Sequence, residues 1–599
     1  MFPTYPLQTS SRLSVSWKAH RLVHTALALL MILAIEFSVV WGNQQPASAG
    51  IEPENYPTVR MDGPEFAAAA LDLQSEAGQE PPGDPEPGLA GVAEPEAPLT
   101  TTNTTSDNFI FLPGLIIGEP ANNRGNDNNA PIEINPEGTY YVATNGSDSS
   151  GNGSSSKPWK TINTAVKKVP DGSKIVVRPG TYNGKVLLDR VFSTGIIIQS
   201  DKAYQAKLRN SGDKVITGTG AGYILEGFDI AHNPGATGMY VIQLQDPHKN
   251  GNGGERITLR DNVIHDSYNN DLLKINNGAK DIVVEGNMFY NMGGPAVDNH
   301  IDVNSAINVT IQDNIFFNDF ADSGRSNGNN TGHYIVIKDS NGASDGISGS
   351  SNIQVRRNVF LNWEGEVGSA FIGLGDGASY PFYQAYNVMI ENNLFLGNTN
   401  NKIHGPVKVI GAKDVTFRNN TIQGDLPSNS FSMRLMKSDS GLKNVNIRFY
   451  NNIWSDPAGT MGADAPGGKQ RFSNTPRAET QSFSLNSNLY WNNGAAIPSS
   501  TSDLINYTND SARITANPKL PANLASITPP CWDSGRLAFD DGSANIRQAF
   551  NRLVIQYGKI ASDSAARDKA NSGNAPADDI LKNPRNQGAP DIGAYEYRP

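Results

Sequence analysis

Apolar and polar positions repeat in a regular pattern along the chain from residue 257 onward. Short runs alternate apolar and polar residues and then place an asparagine before further apolar residues, as in ITLRDNVIH and VTIQDNIFF. Alternation with a period of two predicts β-strands with one buried face. The asparagines that align in these runs are Asn262, Asn287, Asn314, Asn358, Asn393, Asn420, Asn452 and Asn488.

The intervals between these asparagines have a floor near 25 residues, and longer intervals hold insertions. A repeat of this length, with no room for a crossover helix, is typical of a solenoid. Three short strands per turn fit the unit, so the sequence predicts an all-β parallel β-helix over residues 138–530. The aligned asparagines are expected to form a hydrogen-bonded ladder inside one turn.

Both ends of a solenoid need covers. KPWKTINTAVKKV (157–169) has apolar residues on one helical face and is expected to plug the N-terminal opening. NIRQAFNRLVIQYG (545–558) has the same periodicity and is expected at the opposite end. Residues 531–599 are therefore assigned as a C-terminal cap and tail that pack on the β-helix.

The first 49 residues have the pattern of an export signal. Three basic residues precede an apolar run over 22–41, and Ala47-Ser48-Ala49 supplies a cleavage site. Glu36 inside the run argues against a stable membrane span, although a retained N-terminal anchor stays an alternative. No second run is long enough to cross a membrane, so we expect a secreted protein, which could be associated with a cell surface.

Residues 50–137 differ sharply in composition from the rest. They contain 13 prolines and 16 acidic but only two basic residues, as in EPPGDPEPG. Such a segment cannot bury enough apolar surface to fold, so it is predicted to be a disordered linker. The rest of the chain after it is nearly neutral. An exported, nearly neutral body argues against nucleic-acid binding, and we expect a monomer.

Composition narrows the possible chemistry further. The 59 glycines, with 38% hydrophobic and 18% charged residues, suit a turn-rich β protein. Cys531 is the one cysteine, which excludes an intrachain disulfide and argues against thiol catalysis. The sequence has no glycine-rich phosphate loop, no serine nucleophile elbow and no HExxH motif.

The stretch DNHIDVN (298–304) is unusual for a strand, because aspartate is a poor strand former. Its alternation places Asp298, His300 and Asp302 on one exposed face. Aligning residues 271–287 with 298–314 without a gap stacks Asp271 on Asp298. Adjacent coils lie about 4.8 Å apart, so these carboxylates repel unless a proton or a cation such as calcium lies between them.

A third coil supplies HYIVIKDSNG (333–342). Matching its Asn-Gly to that of 277–278 places Lys338, pointing outward, in the column of Lys274. Lys274 is expected as a counter-ion of the stacked aspartates rather than as a base. The gapless alignment of 271–287 with 298–314, however, places Lys274 opposite the apolar Ile301. A one-residue bulge would explain this mismatch, so each alignment between coils is set to within one residue.

Several motifs carry a resemblance to a known class of proteins. YYVATNGSD, KPWKTINTAV and RPGTYNG resemble the opening of secreted right-handed parallel β-helix proteins of the pectate-lyase-like superfamily, and PDIGAYEY resembles their C-terminus. The resemblance covers roughly residues 139–599. It implies a right-handed winding, but the superfamily includes lyases, hydrolases, epimerases and non-enzymes, so it does not fix the activity.

Around DNHIDVN the sequence also resembles polysaccharide lyase family nine, which is calcium-dependent. The resemblance implies that Asp271, Asp298, Asn299 and Asp302 match the family's metal ligands and that Lys338 matches its base. The sequence departs from the family at Asn299, which replaces an acid and should weaken calcium binding. On a straight strand Asp298 and Asp302 would lie about 13 Å apart, so either a turn separates them or only one is a ligand.

Four further residues are predicted to contact a polysaccharide substrate or a cell-wall glycan: Lys274, His300, Arg434 and Lys437. The aromatic residues of SYPFYQAY (379–386) either stack on sugar rings or pack within their loop.

Three functions remain open from the sequence. The first is a calcium-assisted lyase that cleaves a pectate-like uronate polysaccharide by β-elimination. The second is a non-catalytic, glycan-binding or cell-surface β-helix. The third is a glycoside hydrolase that uses two of the aspartates, which needs the spacing set by its mechanism.

Overall fold

The computed structural model describes residues 133–247, 253–366, 368–397, 403, 405–424, 433–461, 471–521 and 523–599. The predicted signal peptide and all but the end of the predicted linker lie outside these residues. Among the residues described, no helix is long and apolar enough to span a bilayer.

Three long parallel sheets make up the body, and from β2 to β30 each strand pairs with the third strand before or after it in the chain; β1 with β2, β29 with β31 and β30 with β32 are the exceptions at the ends. Each coil therefore contributes one strand to each sheet. The sheets are numbered 1 to 3 below, and the chain visits them in the order 1, 3, 2. This topology confirms the predicted parallel β-helix, and parallel connections of this kind are right-handed almost without exception.

Sheet 1 comprises β1 (Gly138–Val142), β2 (Ser173–Val177), β5 (Val191–Ser200), β8 (Ala221–Glu226), β11 (Glu255–Arg260), β14 (Lys280–Glu285), β17 (Ile307–Gln312), β20 (Ser350–Arg356), β23 (Ala385–Glu391), β26 (Lys413–Arg418), β29 (Val445–Tyr450) and β31 (Phe483–Asn486). Sheet 2 comprises β4 (Val186–Leu188), β7 (Ile216–Gly218), β10 (Ile242–Gln245), β13 (Leu273–Asn276), β16 (Asp298–Asn304), β19 (Thr331–Lys338), β22 (Ala370–Leu374), β25 (Gly405–Ile410) and β28 (Arg434–Met436). Sheet 3 comprises β3 (Gly180–Asn183), β6 (Ala206–Asn210), β9 (Asp229–His232), β12 (Val263–Ser267), β15 (Met288–Met292), β18 (Ile315–Phe317), β21 (Val359–Phe360), β24 (Leu394–Leu396), β27 (Thr421–Gln423), β30 (Ile453–Ser455) and β32 (Leu489–Trp491).

The asparagine ladder is confirmed at the turn between sheets 1 and 3. In each coil the ladder asparagine donates its backbone N–H and its side-chain amide to the side-chain oxygen of the next, as Asn287 does to Asn314 at 2.9 and 3.2 Å. The ladder ends where Asn488 donates to Asp510. Because the ladder is buried, it satisfies backbone groups that the sharp turn leaves without strand partners.

The interior is a continuous stack of apolar side chains. Phe289, Phe316, Phe360 and Phe395 lie face to face on successive coils, with ring centroids 4.8–5.1 Å apart. This spacing follows from the distance between neighbouring parallel strands. A repeated aromatic position therefore becomes a stacked column.

The N-terminal opening is covered as predicted. Helix α1 (Ile162–Lys168) buries Ile162, Ala165 and Val166 in the core. The Asn163 side chain donates to the Lys185 carbonyl at 2.9 Å and accepts from the Leu187 N–H at 2.8 Å. These bonds satisfy backbone groups at the exposed edge of β4.

The C-terminal helix does not cover the opposite end, and that expectation is wrong. Helix α2 (Ile546–Leu553), extended by a π-helical turn (Val554–Gly558), packs on the outer face of sheet 3. Its apolar face contacts a cluster that includes Met288, Ile315 and Leu394. Sheet 3 thus has a second apolar face, which α2 removes from water.

Residues after β32 also differ from the expected solenoid. Among the described residues, two short 3₁₀ helices (Tyr507–Asn509 and Leu524–Ser526) and a hairpin of β33 (Trp532–Asp533) and β34 (Ala538–Phe539) follow β32, and a further 3₁₀ helix (Arg477–Glu479) precedes β31. The last parallel strand ends at Trp491 rather than near residue 530. Beyond Trp491 the described residues pair with the last coil only through isolated bridges, such as that of Leu489 with Ile514, while Ile505 still packs in the core.

Candidate functional site

The candidate site lies on the outer face of sheet 2. In β13 and β16 the residues Leu273, Ile275, Ile301 and Val303 point into the core. The residues between them therefore point outward, as strand geometry requires. This alternation brings the acidic and basic side chains of three coils onto one face.

The register differs by one residue from the gapless alignment. Lys274 lies opposite Asp302, and Leu273 lies opposite Ile301. The predicted stacking of Asp271 on Asp298 is thus wrong. The turn from β13 to β14 is one residue longer than the turn from β16 to β17, because β14 pairs with β17 at an offset of 27 residues and β13 with β16 at 28.

Asp271 instead lies level with Asn299. The Asn299 backbone N–H and side-chain amide both donate to Asp271 Oδ1, at 2.8 and 3.2 Å. Asn299, predicted as a metal ligand, therefore holds one oxygen of Asp271 in place. An ionised acid at position 299 would keep the backbone bond but could not donate the side-chain bond, so the structure gives asparagine a role at this position.

Lys274 lies between two of the carboxylates. Its ammonium nitrogen is 2.5 Å from Asp302 Oδ2 and 3.8 Å from Asp271 Oδ2. Only 8% of Lys274 is exposed, and Asp271 and Asp302 are more deeply buried. This geometry supports the interpretation of Lys274 as a counter-ion and leaves it little surface for contact with a substrate.

Lys338 belongs to the same group, although not to the predicted column. It lies opposite Asn304, two positions along the strand from the column of Lys274. Its ammonium nitrogen is nevertheless 3.7 Å from Asp302 Oδ2 and 3.8 Å from Asp376 Oδ2, and its side chain is 20% exposed. It is thus the cation of this group that is open to a ligand.

Two carboxylate oxygens of the group lack partners. Asp298 Oδ2 and Asp302 Oδ1 are buried and accept no hydrogen bond from any described residue. A buried, unpartnered carboxylate oxygen is costly, and carboxylate oxygens are the ligands that calcium prefers. Each of these aspartates could offer an oxygen to a divalent cation, with Lys274 as a partial counter-charge. Among the described residues, however, the oxygens that Asp271, Asp298 and Asp302 would offer do not all lie within 4.8 Å of one another, so the carboxylates would have to move closer together around an ion.

The pKa shifts of the three aspartates also indicate that Lys274 and Lys338 do not fully neutralise their negative charge. Burial and the neighbouring carboxylates raise the pKa of Asp271 to about 7 and that of Asp298 to about 6, against the opposing effect of Lys274. Asp302 is different. Burial also acts to raise its pKa, but the ammonium groups of Lys274 and Lys338 hold it below the ordinary value.

These shifts predict a pH dependence of stability in the presence of a chelator. The folded state holds protons on Asp271 and Asp298 at pH values where the unfolded chain, with a pKa near 3.8, has lost them. The free energy of unfolding should therefore fall as the pH rises from about 4 to about 7. Urea unfolding at pH 5 and pH 7.5 measures this, and the slope should flatten in Asp271→Asn. An equally steep slope in that variant contradicts the assignment.

His300 does not face the substrate side, and the expected outward orientation is wrong. It is fully buried, and its ring stacks on Tyr334 at 4.4 Å. Its Nε2 lies 2.9 Å from Asn318 Oδ1. Burial lowers the pKa of His300 to about 3, so the ring is neutral. His300 and the adjacent Ile301 are both fully buried, so the alternation that predicted an exposed imidazole does not hold at this point of β16.

Of the two basic residues predicted to contact a substrate near the C-terminal end of sheet 2, Arg434 lies on the sheet and Lys437 lies beyond it. Arg434 lies opposite Lys408, on the outer face of the same sheet. Lys437 follows β28, is exposed, and has its backbone N–H bonded to the Glu479 carboxylate at 3.1 Å. Sheet 2 thus brings Arg434, but not Lys437, into line with the site.

Asp376, Tyr240 and Lys408 were not predicted. Asp376 follows β22 and contacts Lys338, and the Tyr240 ring centre lies 5.9 Å from the Lys274 ammonium. The loop after Asp376 carries Tyr380 and Phe382, whose rings stack on each other at 5.4 Å. Lys408 lies between the core residues Val407 and Val409. This alternation is visible in the sequence and predicts that Lys408 points outward, but it does not predict which residues surround it.

No protein-family model matches the sequence, and no curated protein matches it. Several solved structures are similar. The pectate lyase Pel9A is 16% identical with a TM-score of 0.45, over 78% of this chain and 98% of that one. The PL6 family alginate lyase AlyGC is 15% identical with a TM-score of 0.41, over 61% and 50%. PfbA, a surface adhesin of Streptococcus pneumoniae, is 13% identical with a TM-score of 0.38, over 55% and 79%. The three parallel sheets of this protein confirm the predicted resemblance in fold.

Proposed function

We propose that this protein is an exported lyase that cleaves a uronate-containing polysaccharide by β-elimination. The observation that carries the proposal is the pair of unpartnered, buried carboxylate oxygens, Asp298 Oδ2 and Asp302 Oδ1, next to the partly exposed Lys338. Together they combine a place for a divalent cation with a basic side chain that a substrate can reach.

The acidic residues have a binding role in this proposal. Asp271, Asp298 and Asp302 would hold calcium, and a bound calcium ion would neutralise the uronate carboxylate and make the proton on the adjacent carbon more acidic. Asn299 keeps Asp271 oriented through its two hydrogen bonds. Lys274 compensates the remaining negative charge without leaving the protein interior.

Lys338 takes the proton in this proposal. As the free amine, its Nζ accepts the proton from the carbon next to the uronate carboxyl group. The electron pair of that C–H bond forms a carbon–carbon double bond. The bond from the next carbon to the glycosidic oxygen breaks, and that oxygen leaves with its electron pair and takes a proton from solvent. The products are a new chain end and an unsaturated uronate.

The test is incubation of the purified protein with a panel of uronate polymers, with calcium and with a chelator. We expect ultraviolet absorbance from the unsaturated product in the calcium arm with at least one polymer. Release of reducing ends without this absorbance would support a hydrolase. Binding of polymer without either product would support a non-catalytic glycan-binding protein.

One observation favours the hydrolase as a second candidate. The pKa of Asp298 is raised to about 6, whereas that of Asp302 is lowered. An acid that keeps its proton beside a carboxylate that has lost it is the arrangement that glycoside hydrolysis uses. The hydrolase would need no calcium, so the chelator arm of the same assay separates the two functions.

The calcium site makes its own prediction. Saturating calcium should raise the melting temperature of the wild-type protein, since a ligand at 100 times its Kd stabilises the folded state by about 2.7 kcal/mol. Asp298→Ala should remove this rise without unfolding the protein, because Asp298 is only partly buried. Asp201→Ala, at an exposed acid, serves as the control. A melting temperature that is insensitive to calcium in the wild type would show that Lys274 and Lys338 neutralise the group without a metal ion.

A further inference from the structure

A second group of metal-ligating side chains lies on the sheet 3 side of the molecule. Its members are Asp322, Cys531 and Asp540, and one ligand atom from each lies within 4.8 Å of the other two. No other such group of histidine, cysteine or acidic side chains occurs among the residues that the structure describes. The carboxylates of the candidate calcium site do not converge to this degree, so the group on the sheet 3 side needs less rearrangement to surround an ion.

The three residues come from two parts of the chain that the fold brings together. Asp322 belongs to the loop that follows β18, on the solenoid itself. Cys531 and Asp540 flank the β33–β34 hairpin, and the Asp540 N–H donates to the Cys531 carbonyl at 3.0 Å. The hairpin packs with α2 on the outer face of sheet 3. An ion held by all three residues would therefore tie the C-terminal segment to the solenoid.

Cys531 supplies a buried sulfur atom to this group. It is only 1% exposed, and it forms no disulfide. Its thiol donates a hydrogen bond to the Asp322 carboxylate and is also close enough to Asp319 and Asp540 to feel their negative charges. The side chain thus points into a group of acids, whereas a cysteine that only fills space in a core behaves as a small apolar residue.

The acids beside the sulfur atom are only partly neutralised. Asp540 forms an ion pair with Arg536, whose side chain is 60% exposed and is shared with Asp533. Among the described residues, no basic side chain forms an ion pair with Asp319 or Asp322. Carboxylates that lie this close repel one another unless a proton or a cation lies between them. The group therefore has both the donor atoms and the excess negative charge that a cation requires.

We infer that Asp322, Cys531 and Asp540 form a zinc site that fastens the C-terminal hairpin to the solenoid. A thiolate favours zinc over calcium or magnesium, and carboxylate oxygens also bind zinc. Neighbouring ligand atoms around a tetrahedral zinc ion lie about 3.5 Å apart, so the three side chains would close on the ion by movements of about 1 Å. The thiol proton passes to solvent on binding, because the thiolate is the form that binds metal. Asp319 or a water molecule would take the fourth position.

The inference is independent of the proposed function, since none of its residues belongs to the candidate site. Zinc held here would act on stability rather than on catalysis. A ligand that binds the folded state alone raises the free energy of unfolding, and this ion would join segments that are distant in the sequence. The expected effect is therefore a zinc-dependent melting temperature.

The test uses full-length protein that has been stripped with a chelator and then titrated with zinc or cobalt ions. Zinc should raise the melting temperature, and cobalt should produce a thiolate-to-metal charge-transfer band. This band reports on Cys531, because the chain has a single cysteine. Asp322→Asn should weaken zinc binding by at least about tenfold in calorimetric titration, since even residues behind the ligands change metal affinity by that factor. The metal-free variant should melt like the metal-free wild type, because Asp322 is exposed.

Three further variants decide where the ion binds. Cys531→Ser should abolish the charge-transfer band and most of the zinc-dependent rise in melting temperature. Asp201→Asn, at an exposed acid outside the group, should change neither. Asp298→Ala, in the candidate calcium site, should leave the band intact. The absence of a band in the wild type overturns the inference, and so does zinc-dependent stabilisation that survives both Cys531→Ser and Asp322→Asn.

Discussion

Replacing Lys338 with Ala is expected to lower the rate of elimination by about 10²–10⁴-fold, the range over which a positioned general base contributes. Lys338 is the partly exposed cation of the group, 3.7 Å from Asp302 and 3.8 Å from Asp376. Within the described group, no other basic side chain can replace it, because Lys274 is buried in an ion pair with Asp302. Initial rates of absorbance increase with saturating polymer and calcium measure the effect.

Two further variants make this result specific. Lys338→Arg should be nearly as inactive as Lys338→Ala, since a guanidinium does not give up its proton in proteins. The calcium-dependent rise in melting temperature should survive in both, because the carboxylates remain. Lys280→Ala, at a lysine of sheet 1 paired with Glu255, is the matched control and should retain full activity. Full activity of Lys338→Ala would remove the base from the proposed mechanism.

Replacing Asn314 with Leu is expected to destabilise the protein by at least about 3 kcal/mol, because each orphaned buried polar group costs about 1–3 kcal/mol. Asn314 accepts two bonds from Asn287 and donates one to Val284 O at 2.9 Å. It also donates its side-chain amide to Asn358 at 3.0 Å. A leucine of similar size fills the space but leaves these groups without partners.

Chemical denaturation of the wild type and the variant measures this loss. Asn183→Leu, at an exposed asparagine of β3, is the control and should change the free energy of unfolding by less than about 0.5 kcal/mol, as surface substitutions usually do. Equal stabilities of Asn314→Leu and the control would mean that the ladder accompanies the fold without stabilising it.

The sequence by itself determined the solenoid. Each coil repeats a local pattern, so alternation identifies strands and the recurring asparagine identifies a turn, independently of contacts elsewhere in the chain. The ladder from Asn262 to Asn488 and the cover supplied by α1 were predictable for this reason. The same local logic located Asp271, DNHIDVN and Lys338, since side chains that face outward on neighbouring coils must lie near one another.

The exact partners within the site depended on tertiary structure. A turn that is one residue longer between β13 and β14 shifts Lys274 from Ile301 to Asp302, and thereby turns a proposed pair of stacked aspartates into a buried ion pair. A gapless alignment cannot reveal which turn absorbs an extra residue. His300 likewise lies in the aromatic core next to the buried Ile301, where Tyr334 and Asn318 contact it, although alternation alone predicts that it is exposed.

The position of α2 also required the folded structure. The apolar face of α2 predicts that the helix is buried, but it does not predict the surface against which it packs. That surface is the apolar outer face of sheet 3, which extends over several coils. The register of Lys408 with Arg434 is likewise set by strands that lie on different coils. Periodicity thus fixes what each segment must bury, because that depends on neighbours in the chain. Turn lengths and the packing of distant coils decide which charged groups meet, because those contacts are made across the chain.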